Sequence, residues 1–132
     1  MKHISFILIL ALLGTSAFPQ ISQFRGPNRD GFFNASGLLA EWPADGPEQI
    51  LEIDGLGKGW STPVVTDNMI YVTGMINKMD HLTALDLEGN IKWQVPYGDS
   101  WEKSFPDTRG SATVEDDRVY VLSGMGQLSC ID

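Results

Sequence analysis

The sequence predicts an all-β protein, on two observations. Four short runs of β-branched, aromatic or alternating residues lie within residues 59–98, joined by tight turns and without a helical period. A second copy follows, because PVVTDNMIYV at residues 63–72 aligns with ATVEDDRVYV at 112–121, and LTALD at 82–86 aligns with LSCID at 128–132. Self-similarity at this period, with four strands per unit, predicts a partial β-propeller built of four-stranded antiparallel blades.

The first copy accounts for one complete blade, which we assign to residues 55–98. Its four strands are expected at VV, MIYVT, LTALD and IKWQV, in that order along the chain. Asp67 and Asn68 supply a hairpin turn between the first two strands, and Gly89 lies in the turn before the last. Residues 75–81 are expected to form a longer loop between the second and third strands.

Three glycines, Gly55, Gly57 and Gly59, precede the strands of this blade. A phosphate-binding loop would need a helix N-terminus after the glycines, whereas a strand follows here. We therefore expect a bend at which the chain passes close to the crowded propeller axis.

Residues 18–54 are predicted to form an N-terminal segment with one leading strand at residues 49–53. The run QFRGPNRDG in this segment is rich in turn-forming residues. Its arginines, Arg25 and Arg29, either form an anion site or, as we favour, pair with carboxylates and hold the segment to the body. The side chains expected to be buried as anchors of the segment are Leu38, Leu39 and Trp42.

Residues 1–17 are predicted to be a secretory signal peptide. Lys2 gives the positive start, residues 4–13 form an apolar core, and small residues at the end place the cleavage before Phe18. An uncleaved membrane anchor is the alternative, although the apolar run is short for a bilayer span. Cleavage would leave an exported protein, periplasmic or extracellular, without a membrane span.

The composition is that of an ordinary globular protein, with 42% hydrophobic and 20% charged residues in a chain of 132. The formal net charge is -8 at pH 7, and the nine Lys and Arg residues are scattered along the chain. Binding to nucleic acid needs clustered positive charge that faces the phosphates. The composition therefore predicts no nucleic-acid partner.

Residues 99–132 are assigned to an inter-blade loop and a truncated second blade, which lacks its outer strand. The loop carries two aromatic side chains, Trp101 and Phe105, and two cations, Lys103 and Arg109. Exposed aromatics beside cations on such a loop form a candidate binding surface for a protein partner. The other interpretation, which we favour, is that these side chains cover the seam between the two blades.

The end of the second copy carries two further expectations. Cys130 is the single cysteine and stands where Ala84 stands in the first copy, so we expect a small, buried residue without a disulfide. The chain stops at Asp132, the counterpart of Asp86, before the turn to a fourth strand. Because a closed propeller needs about four to eight blades, we expect this chain to be the N-terminal fragment of a longer protein.

In the first copy, Ala84, Asp86, Gly89 and Trp93 resemble the tryptophan-docking motif of the PQQ-like (pyrroloquinoline-quinone-type) β-propeller repeat family. The runs QFRGPNRDG, GLLAEWP, GKGWSTPVV and YVTGM are similar to the exported PQQ-like repeat proteins of bacteria. This resemblance covers nearly all of the chain after the predicted signal peptide. It implies that Trp93, on the outermost strand, buries its ring against the neighbouring blade, while Asp86 and Gly89 shape the turn that presents it.

The resemblance implies one of two functions. The first is a non-catalytic, exported binding or scaffold module that presents its loops to a protein partner. The alternative is the N-terminal fragment of a quinoprotein alcohol dehydrogenase, which would bind PQQ and calcium at the propeller centre. The sequence contains no Cys-Cys pair, and its two histidines, His3 and His81, allow no catalytic triad or metal cluster to be assembled. We therefore expect a binding module, with no catalytic, cofactor-binding or metal-binding residue in this segment.

Overall fold

The computed structural model describes residues 21–132, so the signal peptide predicted at residues 1–17 and its cleavage position lie outside the described residues. This part of the chain is all-β and contains no helix, as the sequence predicted. The strands, in chain order, are β1 (Ile21–Ser22), β2 (Val64–Val65), β3 (Ile70–Ile76), β4 (Met79–Leu85), β5 (Ile91–Asp99), β6 (Thr113–Glu115), β7 (Arg118–Leu122) and β8 (Leu128–Ile131).

The strands form two sheets in which every pairing is antiparallel. The first sheet has the order β2-β3-β4-β5, which is the order predicted for the first copy. The second sheet consists of β6, β7 and β8, with the two-residue β1 added beside β6. Within residues 21–132 neither sheet closes on itself, and the outer edge of β8 has no partner strand.

The β3–β4 hairpin is longer than the sequence predicted. Strand β3 extends to Ile76 and β4 begins at Met79, so only Asn77 and Lys78 form the turn. Both have positive φ, 50° and 68°, as in the two-residue turns that match the twist of paired strands. The loop expected over residues 75–81 is therefore wrong, because Asn77 adopts the left-handed conformation without a glycine.

The second sheet repeats the register of the first. Tyr71 pairs with Ala84 in the first sheet, and Tyr120 pairs with Cys130 in the second. The sequence alignment of the two copies therefore matches their strand pairing. Cys130 is nevertheless exposed, whereas Ala84 is fully buried. The prediction of a buried Cys130 is wrong because β5 covers Ala84, while no described strand covers Cys130.

The hydrophobic core lies between the two sheets. It combines buried residues of both copies: Val64, Leu82, Tyr97, Ala112, Val114, Val119 and Val121. Alternation along a strand selects these positions, since Val119 and Val121 on β7 are buried while Arg118 and Leu122 are exposed. The two sheets therefore share one core, and each depends on the other for its burial.

The glycine-rich entry to the first sheet is a close backbone contact with β3. Gly57 has a φ of 82°, and a Cβ at this position would lie 2.7 Å from the carbonyl oxygen of Met75. The adjacent Lys58 exchanges two backbone hydrogen bonds with Met75, at 3.0 and 2.7 Å. The bend expected at the glycines thus brings two backbone segments together where a side chain would not fit.

Residues 23–56 contain no strand, so the leading strand predicted at residues 49–53 is wrong. No backbone pairing joins residues 49–53 to a sheet, and the apolar side chains of Leu51 and Ile53 instead reach the turn at Gly89. The prediction of buried anchors in this segment is also wrong, because the segment forms no strand that would place its side chains against the core. The exposed side chains are Leu38, Leu39 and Trp42.

Asp80 on β4 is the buried polar group that joins the two sheets, with 1% of its surface exposed. One carboxylate oxygen accepts hydrogen bonds from the hydroxyls of Ser100 and Thr108, in the segment between the sheets. The other accepts the amide hydrogen of Gly124, in the β7–β8 turn, at 2.7 Å. A buried carboxylate needs such donors, so this one side chain ties β4 to the segment between the sheets and to the β7–β8 turn.

Tyr97 near the end of β5 carries a second buried polar group. Its ring belongs to the core and is 7% exposed, and its hydroxyl has no hydrogen-bond partner among the described residues. Burial, and secondarily the charge of Asp80, raise the pKa of this hydroxyl. The nearby Thr73 hydroxyl lowers this pKa by a smaller amount, and its own hydrogen is donated to the Gly110 carbonyl at 2.6 Å.

We expect Asp80→Ala to lower the free energy of unfolding by about 3 kcal/mol, because the buried hydroxyls of Ser100 and Thr108 and the amide of Gly124 lose their acceptor. Urea denaturation followed by tryptophan fluorescence measures the loss. Asp99→Ala, which removes an exposed carboxylate from the paired strand β5, is the matched control and should change stability by less than about 0.5 kcal/mol. Similar losses in the two variants would contradict the role given to Asp80.

Tyr97→Phe is expected to be neutral or stabilising by up to about 1 kcal/mol at pH 7, because it removes an unpaired hydroxyl and keeps the ring. The raised pKa means that the unfolded phenol ionises first, near pH 10. Wild type should therefore lose about 1.4 kcal/mol per pH unit above that value, and Tyr97→Phe should lose less. Urea midpoints at pH 8 and pH 11 measure this; equal losses in both proteins would contradict it.

Candidate functional site

The four residues predicted as a binding surface lie together on the segment between the sheets. We call residues 100–110 the aromatic loop. Both of its ends are fixed: the Ser100 amide donates to the Lys78 carbonyl at 3.0 Å, and the Trp60 amide donates to the Thr108 carbonyl at 2.8 Å. Asp80 also accepts hydrogen bonds from Ser100 and Thr108. The loop is therefore held at both ends, and its middle extends between these two fixed points.

Trp101 is the central side chain of this loop and is 37% exposed. Its indole Nε1 donates to the Ser104 carbonyl at 2.8 Å, which fixes the orientation of the ring. The ammonium of Lys103 lies 5.7 Å from the ring centroid, within the range of a cation–π contact. The Trp101 backbone packs so closely on Gly124 that a Cβ there would lie 2.5 Å from the Trp101 nitrogen.

Phe105 and Arg109 form a second aromatic–cation pair on the same loop. The Arg109 guanidinium lies 5.3 Å from the Phe105 ring centroid, and its Nε donates to the Phe105 carbonyl at 3.1 Å. Phe105 has a φ of 46° and its side chain is 77% exposed. Its ring therefore stands out from the protein although its backbone is held in a tight turn.

The second sheet adds two exposed apolar side chains beside the loop, Leu122 and Met125. A depression of about 530 Å³ lies between Trp101 and the β3–β4 turn and includes Met125. A second one, of about 340 Å³, lies between Trp101 and Phe105 and is lined by Leu122 and Gly124. We call the four apolar side chains and the two loop cations the Trp101 patch: Trp101, Phe105, Leu122, Met125, Lys103 and Arg109.

The sequence analysis missed Leu122 and Met125. A signal for each was present, since Leu122 falls on the outward face of β7 and Met125 lies between two glycines in a turn. Neither signal could link them to Trp101, because that proximity depends on the contact between Trp101 and Gly124.

The predicted docking motif lies at the outer edge of the first sheet. Trp93 on β5 pairs with the buried Ala84 on β4, and its ring contacts Tyr71, with centroids 6.1 Å apart and planes tilted by 52°. Trp93 and Tyr71 are half-buried and pack against the core between the sheets. The ring of Trp93 is thus partly covered, and its docking role in an assembled propeller stays a prediction.

The turn before Trp93 is ordered by Asp86. Its carboxylate accepts the Asn90 amide at 2.7 Å and forms a salt bridge with Lys92 at 3.3 Å. Hydrogen bonds from Asn90, and to a lesser extent Lys92, lower the pKa of Asp86. Gly89 has a φ of 86°, and a Cβ there would lie 2.8 Å from the Leu51 side chain, so both conformation and space favour glycine.

The two arginines of the N-terminal segment do not pair with carboxylates in the described residues. Arg25 donates instead to the backbone carbonyl of Asp30 at 3.2 Å, and Arg29 donates to the Gln23 side chain at 3.0 Å. The favoured prediction of carboxylate pairing is therefore wrong. Both arginines have positive φ and use their guanidinium groups to stabilise their own turn.

Few side chains in the described part of the chain are placed for catalysis or for metal binding. Within residues 21–132 no three His, Cys, Asp or Glu side chains lie close enough together to hold a metal ion. His81 is engaged with the Met79 carbonyl at 3.0 Å, and Asp116 with Asp117 forms the β6–β7 turn. No helix in this range is long and apolar enough to span a membrane.

Comparison of the chain with family models, curated proteins and solved structures finds no match. The resemblance to the PQQ-like repeat family therefore stays a prediction from the repeated motif. The all-β fold of antiparallel sheets is established, together with the geometry of the Trp101 patch and of the Trp93 edge.

We expect Trp93→Ala to lower the free energy of unfolding by about 2 to 3 kcal/mol. This is less than the roughly 3 to 5 kcal/mol typical of a fully buried aromatic, because the Trp93 ring is only half-buried. Urea denaturation measures the loss, and Trp42→Ala, which removes an exposed indole, is the matched control. An equal effect of the two substitutions would show that the Trp93 ring has no structural role.

Proposed function

We propose that this chain belongs to an exported β-propeller of the PQQ-like repeat type and binds a protein partner through the Trp101 patch. The observation that carries the binding proposal is the cluster of exposed apolar side chains around a fixed indole, with depressions on both sides. An exposed apolar cluster on an anchored loop is typical of a protein interaction site.

The repeated register of the two sheets supports the propeller. Both copies place a tyrosine of their second strand opposite a small residue of their third, and they share one core. Neighbouring blades of a propeller pack face to face in this way, with each blade covering the next. The predicted signal peptide at residues 1–17 supports export.

The Trp101 patch has the composition of a binding hot spot. Tryptophan and arginine are enriched among the residues that dominate binding energy, and a fixed indole loses little conformational entropy when a partner covers it. The Trp101 ring is already held by its hydrogen bond to Ser104 and by the hydrogen bonds that fix both ends of the loop. The ring is therefore ordered before a partner binds. The patch is therefore preorganised for binding.

The Trp101 patch offers two cations to a partner, although the carboxylates of Asp99, Glu102 and Asp107 line the same two depressions. Lys103 and Arg109 lie over aromatic rings, and neither takes part in a salt bridge within the described residues. Their charges stand out on a chain with a formal net charge of -8. A partner that offers an apolar side chain next to a carboxylate would fill a depression beside Trp101 and pair with one of these cations.

Selection of 12-residue peptides displayed on phage against the purified chain tests this proposal. We expect enrichment of peptides that combine an apolar or aromatic residue with Asp or Glu. Trp101→Ala should weaken a selected peptide by roughly thirtyfold, corresponding to about 2 kcal/mol for a hot spot. Fluorescence anisotropy of the labelled peptide measures the affinity.

Two variants serve as comparisons in that experiment. Trp42→Ala removes a more exposed indole outside the patch and should change the affinity by less than twofold. Lys103→Glu reverses one patch charge and should weaken acidic peptides at low salt more than at high salt. Equal binding by wild type and Trp101→Ala, with both folded by near-ultraviolet circular dichroism, would overturn the proposal.

A further inference from the structure

A cleft lies beside the Trp101 patch, between the N-terminal segment and the stretches of chain that enter the two sheets. It consists of two depressions, of about 530 Å³ and about 330 Å³. Phe24 and Thr62 line both of them, so the two are continuous, and we call them together the Trp60 cleft. The side chains of this cleft that could meet a ligand include Phe24, Arg25, Phe33, Trp60, Arg109 and Ser111.

Trp60 is the most exposed aromatic residue of the cleft, although its backbone is fixed. The residue is 74% exposed, while its amide donates to the Thr108 carbonyl at 2.8 Å. Two residues on, the Thr62 amide donates to the Ser111 hydroxyl at 2.9 Å. The indole therefore extends from a stretch of chain that is tied to the entry of the second sheet at two points, and it offers a flat apolar surface to a ligand.

The N-terminal segment supplies two more aromatic residues to the cleft. Phe24 is 56% and Phe33 is 68% exposed. The Phe33 ring packs on Gly26, where a Cβ would lie 3.1 Å from the ring, and the Gly26 amide donates to the Gln23 carbonyl at 3.1 Å. A hydrogen-bonded turn thus positions the Phe33 ring, and the two sides of the cleft together carry three exposed aromatic rings.

The charged side chains of the cleft are all cations. Among the described residues that line it are Arg25 and Arg109, and none is Asp or Glu. By contrast, the whole chain has a formal net charge of -8, and carboxylates line both depressions beside Trp101. The Arg109 Nε donates to the Phe105 carbonyl, which leaves its two terminal nitrogens for a bidentate pair with a carboxylate. The cleft therefore favours an anionic ligand.

The hydrogen-bonding groups of the cleft match a ligand with hydroxyl groups better than an added peptide strand. Strand addition uses free backbone amides, but the amides of Trp60 and Thr62 are occupied and Pro63 has none. The Ser111 hydroxyl accepts from the Thr62 amide and keeps its own hydrogen for donation. A sugar ring offers hydroxyl groups at its edge, together with a face of C–H groups that packs on the electron-rich face of an aromatic ring.

We infer that the Trp60 cleft binds an acidic polysaccharide, with a sugar ring on the Trp60 indole and the carboxylate of a uronate unit on Arg109. The exposed rings match the apolar face of the sugar, Ser111 matches its hydroxyl groups, and the arginines match its charge. This site goes beyond the protein partner proposed for the Trp101 patch. It uses a different indole, so either proposal can fail without the other.

Isothermal titration calorimetry of the full chain with tetragalacturonate, an oligomer of four uronate units, tests the inference. We expect Trp60→Ala to bind this oligomer at least tenfold more weakly than wild type, because the stacking surface is lost. Trp42→Ala is the matched control, since Trp42 is 71% exposed and Trp60 is 74% exposed. The control should change the affinity by less than twofold, and near-ultraviolet circular dichroism confirms that both variants are folded.

A neutral oligomer tests the role of charge. Galactotetraose has the same number of sugar rings without carboxylates and should bind wild type at least tenfold more weakly than tetragalacturonate. The affinity for tetragalacturonate should fall as the salt concentration rises. Arg109→Gln keeps a polar side chain without the charge and should weaken tetragalacturonate by at least fivefold.

Three results would overturn the inference. One is equal affinity of wild type and Trp60→Ala for tetragalacturonate, and another is equal binding of the charged and neutral tetramers. The third is no binding of tetragalacturonate at millimolar concentration, together with an acidic phage peptide that Trp60→Ala loses and Trp101→Ala keeps, which would assign the cleft to a protein.

The two indoles separate this inference from the binding proposed for the Trp101 patch. Trp101→Ala should bind tetragalacturonate within twofold of wild type, and Trp60→Ala should keep its affinity for a peptide that depends on Trp101. Loss of both ligands in both folded variants would contradict two separate sites.

Discussion

The Asp80 carboxylate is the interaction on which both the fold and the candidate site depend. It is buried on β4 and holds Ser100 and Thr108 of the aromatic loop together with Gly124 of the β7–β8 turn. The contact of Trp101 with Gly124 joins two of these segments, so the same carboxylate that connects the sheets also positions the centre of the Trp101 patch. Packing of the core alone would leave the loop free to move, because most of its side chains face solvent.

Much of the first sheet could be predicted from the sequence, because alternating residues and turn signals are local. Asp80 could not, since an acidic residue is normally expected at the surface and the turn that places it on a strand, Asn77 with Lys78, contains no glycine. Its partners lie 20, 28 and 44 residues away, so its burial is decided by distant donors. The burial of Tyr97 was also missed, because this residue lies beyond the end of the strand that the sequence predicted.

The candidate site was predicted in part, because only some of its residues lie close together in the sequence. Trp101, Lys103, Phe105 and Arg109 stand close together in sequence, and their exposure follows from a loop composition. Their neighbours from β7 and the next turn join them only through tertiary contacts. The strand predicted at residues 49–53 had a suitable local pattern, but this stretch contacts the first sheet through the side chains of Leu51 and Ile53 at the Gly89 turn, without backbone pairing.

The two copies show that a residue's burial is set by its neighbour as much as by its type. Ala84 and Cys130 occupy the same register opposite a tyrosine, and one is fully buried while the other is exposed. The difference is strand β5, which adds Trp93 and covers the first position.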